Sequence, residues 1–370
     1  MGGDLARALR VGGVVGFDLL MAVALSVGVV TTLWAGPDLG DLGSFLASGR
    51  AAAAGLDPYG SYPLDPGRAY DPNANAPASV LLFHLLAGAE PALVANAWRI
   101  VSLALYILCL WLLQHAYPEP GNWRRLIYAV ASVGPWATIS IGQIYTLLLL
   151  AIVAASWLLL RRGRQLAAGV LIGLVVAIKP NFAVWPALLL VAGYGQAALC
   201  AGAVALGFSL LPAAVYGPTI YREWLAMVTG DAYRPLHPTN GSLLAVAGRL
   251  GAPALGAVAT AVLLLGAALF VWGRKLSVLG VSSLALLVSV LASPIIWPGY
   301  ATFAIPAMFS RRWDGLQYVV GLLLAAPLPV WLVVDLAGNG LSTPYFVTTG
   351  LALLAVAVAQ DALAAQKMAR

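Results

Sequence analysis

Residues 36–86 read GPDLGDLGSFLASGRAAAAGLDPYGSYPLDPGRAYDPNANAPASVLLFHLL. They form the longest polar interval in a chain built of apolar runs, and hold five of its fourteen acidic residues. A loop this long and this polar, between apolar segments, is where function is expected to sit. Asp41 suits the N-cap or first turn of a short helix over about 41–54, with Gly55 as its C-cap. Leu56-Asp57-Pro58-Tyr59-Gly60 and Tyr70-Asp71-Pro72-Asn73 have the composition of turns. Pro77 starts a second helix over about 76–87, too short to cross a bilayer and therefore interfacial or re-entrant.

Outward from this loop the chain is apolar. Of its 370 residues, 61 % are hydrophobic and only 9 % charged, and the mean hydropathy is +0.90, against about 25 % charged residues in soluble domains. Apolar runs of about 15–25 residues recur without two-residue alternation, so the expected fold class is all-α: a polytopic membrane bundle of about 10–12 transmembrane helices in one domain, 1–370. Spans are expected near 11–35, 93–116, 124–141, 143–160, 166–179, 181–195, 197–215, 253–272 and 299–310, with one before Ser293-Pro294 and two more at the C-terminal end. The two long external loops would cover about 36–92 and 216–252.

Charge placement orients the bundle. Arg7 and Arg10 precede the first span, and Arg124-Arg125, Arg161-Arg162, Arg274-Lys275 and Arg311-Arg312 stand at alternate span ends, so the positive-inside rule puts both termini in the cytoplasm. Thirteen of the twenty Lys and Arg then fall on the inner side, and nine of the fourteen Asp and Glu on the outer. The net charge of +6 is thus a matter of topology, and no nucleic-acid partner is implied. The expected location is the plasma (inner) membrane, with the functional face outward. Cys109 and Cys200 lie inside apolar runs, and no Cys/His metal spacing, HExxH or phosphate-cradling Gly loop occurs, so no metal or other cofactor is expected.

Seven cations stand on the disfavoured outer side: Arg50, Arg68, Arg99, Lys179, Arg222, Arg234 and Arg249. Charges held near span ends point to an anionic ligand such as a lipid phosphate, with snorkelling to headgroups as the alternative for Arg99 and Lys179. A carboxylate can take the proton of an attacking hydroxyl while cations hold a departing phosphate. That chemistry suits group transfer from a phosphate-bearing lipid, with Asp41 as base and Asp38 as a competing one. Asp18, inside the first span, is a further candidate on the cytoplasmic half. Asn73 and Asn75 either bind a sugar hydroxyl or close the turn. A lipid or solute transporter or scramblase is the alternative class, although no internal repeat is visible.

Several short motifs stand in order. Asp41-x3-Phe45 is followed by Gly55-x-Asp57-Pro58-Tyr59 and the helix at Pro77. Then come Gly142-Gln143-Ile144-Tyr145, Ala168-Gly169-x3-Gly173 with Lys179-Pro180, Asn240-Gly241-Ser242-Leu243 with Arg249, and Ser293-Pro294-x2-Trp297. Over about residues 38–300 this pattern resembles the GT-C glycosyltransferases that use polyprenyl-phosphate sugars, in particular glycosyltransferase family 87. The resemblance implies transfer of one sugar, mannose or arabinose, from a polyprenyl-phosphate donor to a lipid or glycan hydroxyl, with inversion and without a metal. It implies Asp41 as the catalytic base, and Gln143, Lys179, Asn240 and Arg249 in the donor pocket. Arg99 and His237 are added as phosphate contacts, and Asp57, Tyr59, Asn73, Asn75 and Trp297 as acceptor or sugar contacts. The family often has Gln where Gly241 stands, and a His soon after the Trp of the Ser-Pro motif. Here Pro298-Gly299-Tyr300 follows, leaving that contact missing or supplied by His237. A non-catalytic assembly partner that keeps the fold is a third reading.

Overall fold

A segment crossing hydrocarbon has no water for its backbone, so it has to close its own hydrogen bonds. This chain does so with helices nearly throughout. The computed structural model describes residues 40–65, 68–118, 123–231, 234–274, 276–311, 314–325 and 342–368, together with 16, 18, 20–26 and 29. Arg7 and Arg10, the greater part of span one, the competing base Asp38, and the last residue, Arg370, lie outside them, as does the cytoplasmic placement of the termini that rested on those charges. Four described helices, Pro91–Ala116, Gly195–Tyr216, Pro253–Val271 and Tyr345–Gln366, are long and apolar enough to cross a bilayer. The protein is an all-α, multi-pass membrane protein. The strand pairing among the described residues is a short antiparallel hairpin, Pro63–Asp65 with Arg68–Ala69, inside the first long loop.

Shorter apolar helices complete the bundle. Val278–Leu291 is buried at every position from Val281 onward, as expected of a helix apolar on all sides. It lies against Val184–Val191 and against the C-terminal helix Ser342–Met368. Gln165–Ile178 packs along Gly195–Tyr216, and here the Gly169-x3-Gly173 motif finds its physical reason. A Cβ on Gly169 would stand 2.7 Å from the Ala197 carbonyl oxygen, and one on Gly173 would stand 2.6 Å from that of Ala201. Small residues one turn apart let the two backbones touch, the usual device where lipid removes the hydrophobic drive between helices.

Several expected spans are broken, each next to a proline. The span expected at 124–141 is two helices, Trp123–Ala131 and Val133–Ser140, separated at Ser132 with Pro135 in the first turn of the second. The span at 181–195 starts as a 3₁₀ turn, Pro180–Ala183, before Val184–Val191. The span at 299–310 is a 3₁₀ segment, Pro298–Ala304, followed by Ile305–Ser310. Proline lacks the N–H that would continue the ladder and pushes the residue before it to extended backbone. The second long loop is itself ordered, carrying Thr219–Gly230, a 3₁₀ turn at Arg234–Leu236, and Leu243–Arg249. The breaks matter because they take Lys179, Ser293–Trp297 and Tyr300 out of regular α-helix at one end of the bundle.

Val133–Ser140 presses directly on the Pro298–Ala304 segment. A Cβ on Gly134 would meet the Thr302 backbone nitrogen at 2.2 Å, a contact that cannot give way without moving backbone. Gly134→Ala is therefore expected to cost about 1–3 kcal/mol as overpacking. Gly207→Ala, where a Cβ meets open space, should be neutral. Thermal unfolding of the two variants in detergent checks this; equal melting temperatures would contradict the packing described.

Candidate active site

The first long loop is anchored by a short helix, Gly40–Ala53, close to the helix expected from its caps. Its first turn docks on the connection after Val133–Ser140. The Leu42 N–H donates to the Ile141 carbonyl at 3.1 Å. Two glycines permit this approach. Gly40 has φ +49° and Gly142 φ +71°, and a Cβ on Gly142 would stand 2.6 Å from the Leu42 Cβ. Glycine alone takes left-handed backbone without steric cost.

The docking brings Gln143 to Asp41. The Gln143 Nε2 amide donates to Asp41 Oδ2, while its Oε1 accepts from the Ile144 N–H at 3.3 Å. Because a backbone N–H holds the oxygen end, the donor end faces the carboxylate. Asp41 sits in the first turn of its helix, where a negative charge is favoured. Burial nevertheless dominates its titration and raises the carboxyl above its ordinary value of 3.8. The Gln143 hydrogen bond and the charges of Lys179 and Arg234 pull the other way, and Asp71 adds to the rise.

Lys179 arrives at the same place from across the bundle. It ends Gln165–Ile178 with extended backbone (φ −129°, ψ 91°) ahead of Pro180. Its Nζ donates to the Tyr300 hydroxyl at 3.0 Å and stands 4.6 Å and 4.9 Å from the ring centres of Tyr145 and Tyr300. Two aromatic faces and a neutral hydroxyl stabilise the ammonium without neutralising it. Among the described residues Lys179 makes no ion pair.

These groups share one cavity of about 1220 Å³. Its walls include Asp41, Gln143, Lys179, His237, Trp297, Asn73 and Asn75, seven of the residues singled out from the sequence. The His237 Nδ1 accepts from the Thr239 N–H at 3.2 Å, so the ring proton sits on Nε2, and the ring meets Trp297 edge-on at 5.3 Å. Asn73 is buried with its amide donating to Ser79 Oγ at 3.1 Å and its oxygen accepting from the Asn75 N–H at 3.0 Å. The Asn73-Ala74-Asn75 turn thus closes on itself at the cavity wall.

Five of the expected residues stand elsewhere. Asn240 has no exposed surface. Its Oδ1 accepts from the Ser242 and Ile296 N–H groups at 3.0 and 2.9 Å, and its Nδ2 donates to the Pro294 carbonyl at 3.3 Å. It clamps the second loop to the Ser293–Trp297 segment, and no polar atom of its side chain is left for a ligand. Arg249 donates to the His237 carbonyl at 2.9 Å and reaches the Tyr345 hydroxyl at 3.4 Å, supporting the segment under His237 from behind. Tyr59, 3 % exposed, packs with Ala52, Val80 and Ile220 as a small core of the loop, and Asp57 accepts the Tyr59 N–H at 2.8 Å in a local turn. Arg99 is outside the wall; its neighbour Trp98 contacts the Gln143 carbonyl at 3.5 Å. Asp18 is likewise absent from the wall.

Other wall residues escaped sequence reading. Asp71 lay in a segment with turn composition, and Arg234 was one of seven outer cations with nothing to single it out. Tyr300 follows the Ser-Pro motif without any mark in the sequence, and its place shows only in its hydroxyl's contact with Lys179. Tyr145 closes the Gly142-Gln143-Ile144-Tyr145 motif, and its role shows only when Lys179 is laid over its ring.

The profile of glycosyltransferase family 87 matches residues 74–294, more than half of the chain. The chain belongs to that family. It is a membrane glycosyltransferase. The match contains Gln143, Lys179 and His237 but begins after Asp41. Among solved structures, the chain is similar to ArnT from Cupriavidus metallidurans, whose crystal structure has undecaprenyl phosphate bound. The identity is 15 %, the alignment covers 94 % of this chain and 77 % of that one, and the TM-score is 0.42. No curated protein matches.

Gly142→Ala tests the docking. It forces a side chain into left-handed backbone at about 1–2 kcal/mol and drives a methyl into Leu42. Transfer should fall by about tenfold or more. Gly55→Ala carries the same backbone strain (φ +70°) with open space around its Cβ, and should leave transfer near wild type. Equal activities of the two variants would show that the loop helix does not set the site.

Proposed function

We propose that this glycosyltransferase moves a single sugar, mannose or arabinose, from a polyprenyl-phosphate donor to a hydroxyl of a lipid or glycan acceptor. The reaction takes place on the outer face of the plasma membrane. The observation that carries this reading is that Asp41 and Lys179, far apart in sequence, line the same cavity closely enough for the lysine's charge to act on the carboxyl.

The roles follow from charge. The donor's phosphate lies by Lys179, and the anomeric carbon between phosphate and carboxylate. The acceptor oxygen forms a bond to that carbon as its proton passes to Asp41. The carbon–oxygen bond to phosphate breaks on the opposite side, and its electron pair stays on the departing phosphate, where the ammonium compensates the growing charge. Attack opposite the leaving group inverts the anomeric centre. Gln143 positions the carboxylate so that one oxygen is held and the other is left for the acceptor's proton. Lys179 suits an anion because its contacts, a hydroxyl and two ring faces, include no ion pair among the described residues. A site with its base at a loop helix and its cation at a broken span also matches a donor whose phosphate sits at the membrane surface. The acidic loop and the inward basic clusters support the outward orientation.

With purified protein, polyprenyl-phosphate-mannose and a membrane acceptor extract, Asp41→Asn should lower sugar transfer by about 10²–10⁴-fold, the usual contribution of a general base. Wild-type rates in that variant would remove Asp41 from the mechanism.

Titration gives a second test. The ionised carboxylate is the working form, so the rate falls as pH drops through the Asp41 pKa. Burial raises that value above 3.8, so the acid limb of kcat/KM should lie above the ordinary carboxylate range. Gln143→Leu removes a contact that lowers it, and should move the limb further up. A limb that stays put or moves down would contradict the assignment.

A further inference from the structure

A second cavity, of about 420 Å³, adjoins the first. Asp71, Pro72, Met227, Asp231 and Arg234 line both, whereas Ala226 and Gly230, at the end of Thr219–Gly230, line only the smaller. The Arg234 guanidinium is fixed at the shared wall. It pairs with Asp231 at 2.9 Å and donates to the Pro72 carbonyl at 2.8 Å, so it ties the first long loop to the second. The wall lies close to the base, since both Arg234 and Asp71 act on the Asp41 carboxyl through their charge. Building on the function proposed above, we propose that this smaller cavity receives the acceptor, as an uncharged, hydroxyl-rich group such as a sugar ring.

Three features define that chemistry. Two carboxylates, Asp71 and Asp231, face one guanidinium, so the balance of charge at the shared wall is negative and disfavours an anionic acceptor. Carboxylates accept only, and therefore suit the hydroxyls of a polyol. The volume is at the small end of ligand pockets, which run from about 300 to 1,000 Å³. That size fits a monosaccharide-sized group, leaving the larger cavity, with Lys179, to the donor. A sugar ring here presents a hydroxyl past Arg234 toward Asp41, while the pair Arg234–Asp231 keeps the two substrates in separate compartments.

Gly230 supplies the test, because a Cβ there meets open space and its backbone is helical. With polyprenyl-phosphate-mannose as donor, octyl mannoside as probe acceptor and polyprenyl phosphate release as readout, Gly230→Trp should raise the KM for octyl mannoside by about tenfold or more. A wild-type KM in that variant would overturn the proposal while leaving the Asp41 mechanism standing. Gly230→Cys provides a reading independent of turnover and of the bulky substitution. Its modification by a membrane-impermeant thiol reagent should be slowed by octyl mannoside and not by octyl phosphate. Equal labelling with and without octyl mannoside refutes the acceptor site. Protection without any sugar transfer upholds the site and counts instead against the proposed function.

Discussion

One contact organises the functional end of this molecule: the first turn of the loop helix lying on the Ile141–Gly142–Gln143 connection. The Leu42–Ile141 hydrogen bond and two left-handed glycines bring polar residues from a long loop against the end of the helical bundle. Asp41 is thereby held against Gln143, on the wall of the cavity that Asp71–Asn75 and Lys179 also line. Without that docking the carboxyl would be an ordinary solvated loop charge. With it, burial raises its pKa and a positive charge across the cavity moderates the rise.

The helix breaks supply the other half. Uninterrupted spans would keep their side chains pointing at neighbours or lipid, whereas each proline break frees a short stretch of backbone and aims it at the cavity. Lys179 before Pro180, the Ser293–Trp297 segment and Tyr300 after Pro298 all reach the wall this way. Asn240 then pins that segment from behind through the Pro294 carbonyl and the Ile296 N–H, and Arg249 holds the backbone under His237. The sequence motifs of this chain divide accordingly into residues that face the cavity and residues that keep those in place.

The sequence revealed the helical bundle because membrane solvation leaves few alternatives: composition and run length imply helices, and the Asp41 and Pro77 helices follow from cap chemistry. It also placed Asp41, Gln143 and Lys179 at one site, and all three line one cavity, although the hydrogen bond from Gln143 to the carboxylate had no local signal. It missed the breaks at Ser132 and Pro298, since an apolar run reads alike whether its helix is whole or broken. It placed Asn240 and Arg249 in the pocket because a polar side chain that clamps backbone cannot be told by type from one that meets a ligand. Tyr59 was expected as an acceptor or sugar contact and is core instead, as the loop's own packing with Ile220 is invisible locally. Arg234 and Asp71 were not singled out because their meaning depends on two distant loops meeting.

The account turns on Asp41 and Gln143 being in contact, and chemical cross-linking measures that directly. Cysteines placed at positions 41 and 143, in protein with Cys109 and Cys200 replaced, should be joined by a short bis-maleimide in the membrane, a reagent that does not need the two backbones as close as a disulfide does. A folded protein in which these two cysteines are labelled separately and never joined would contradict it.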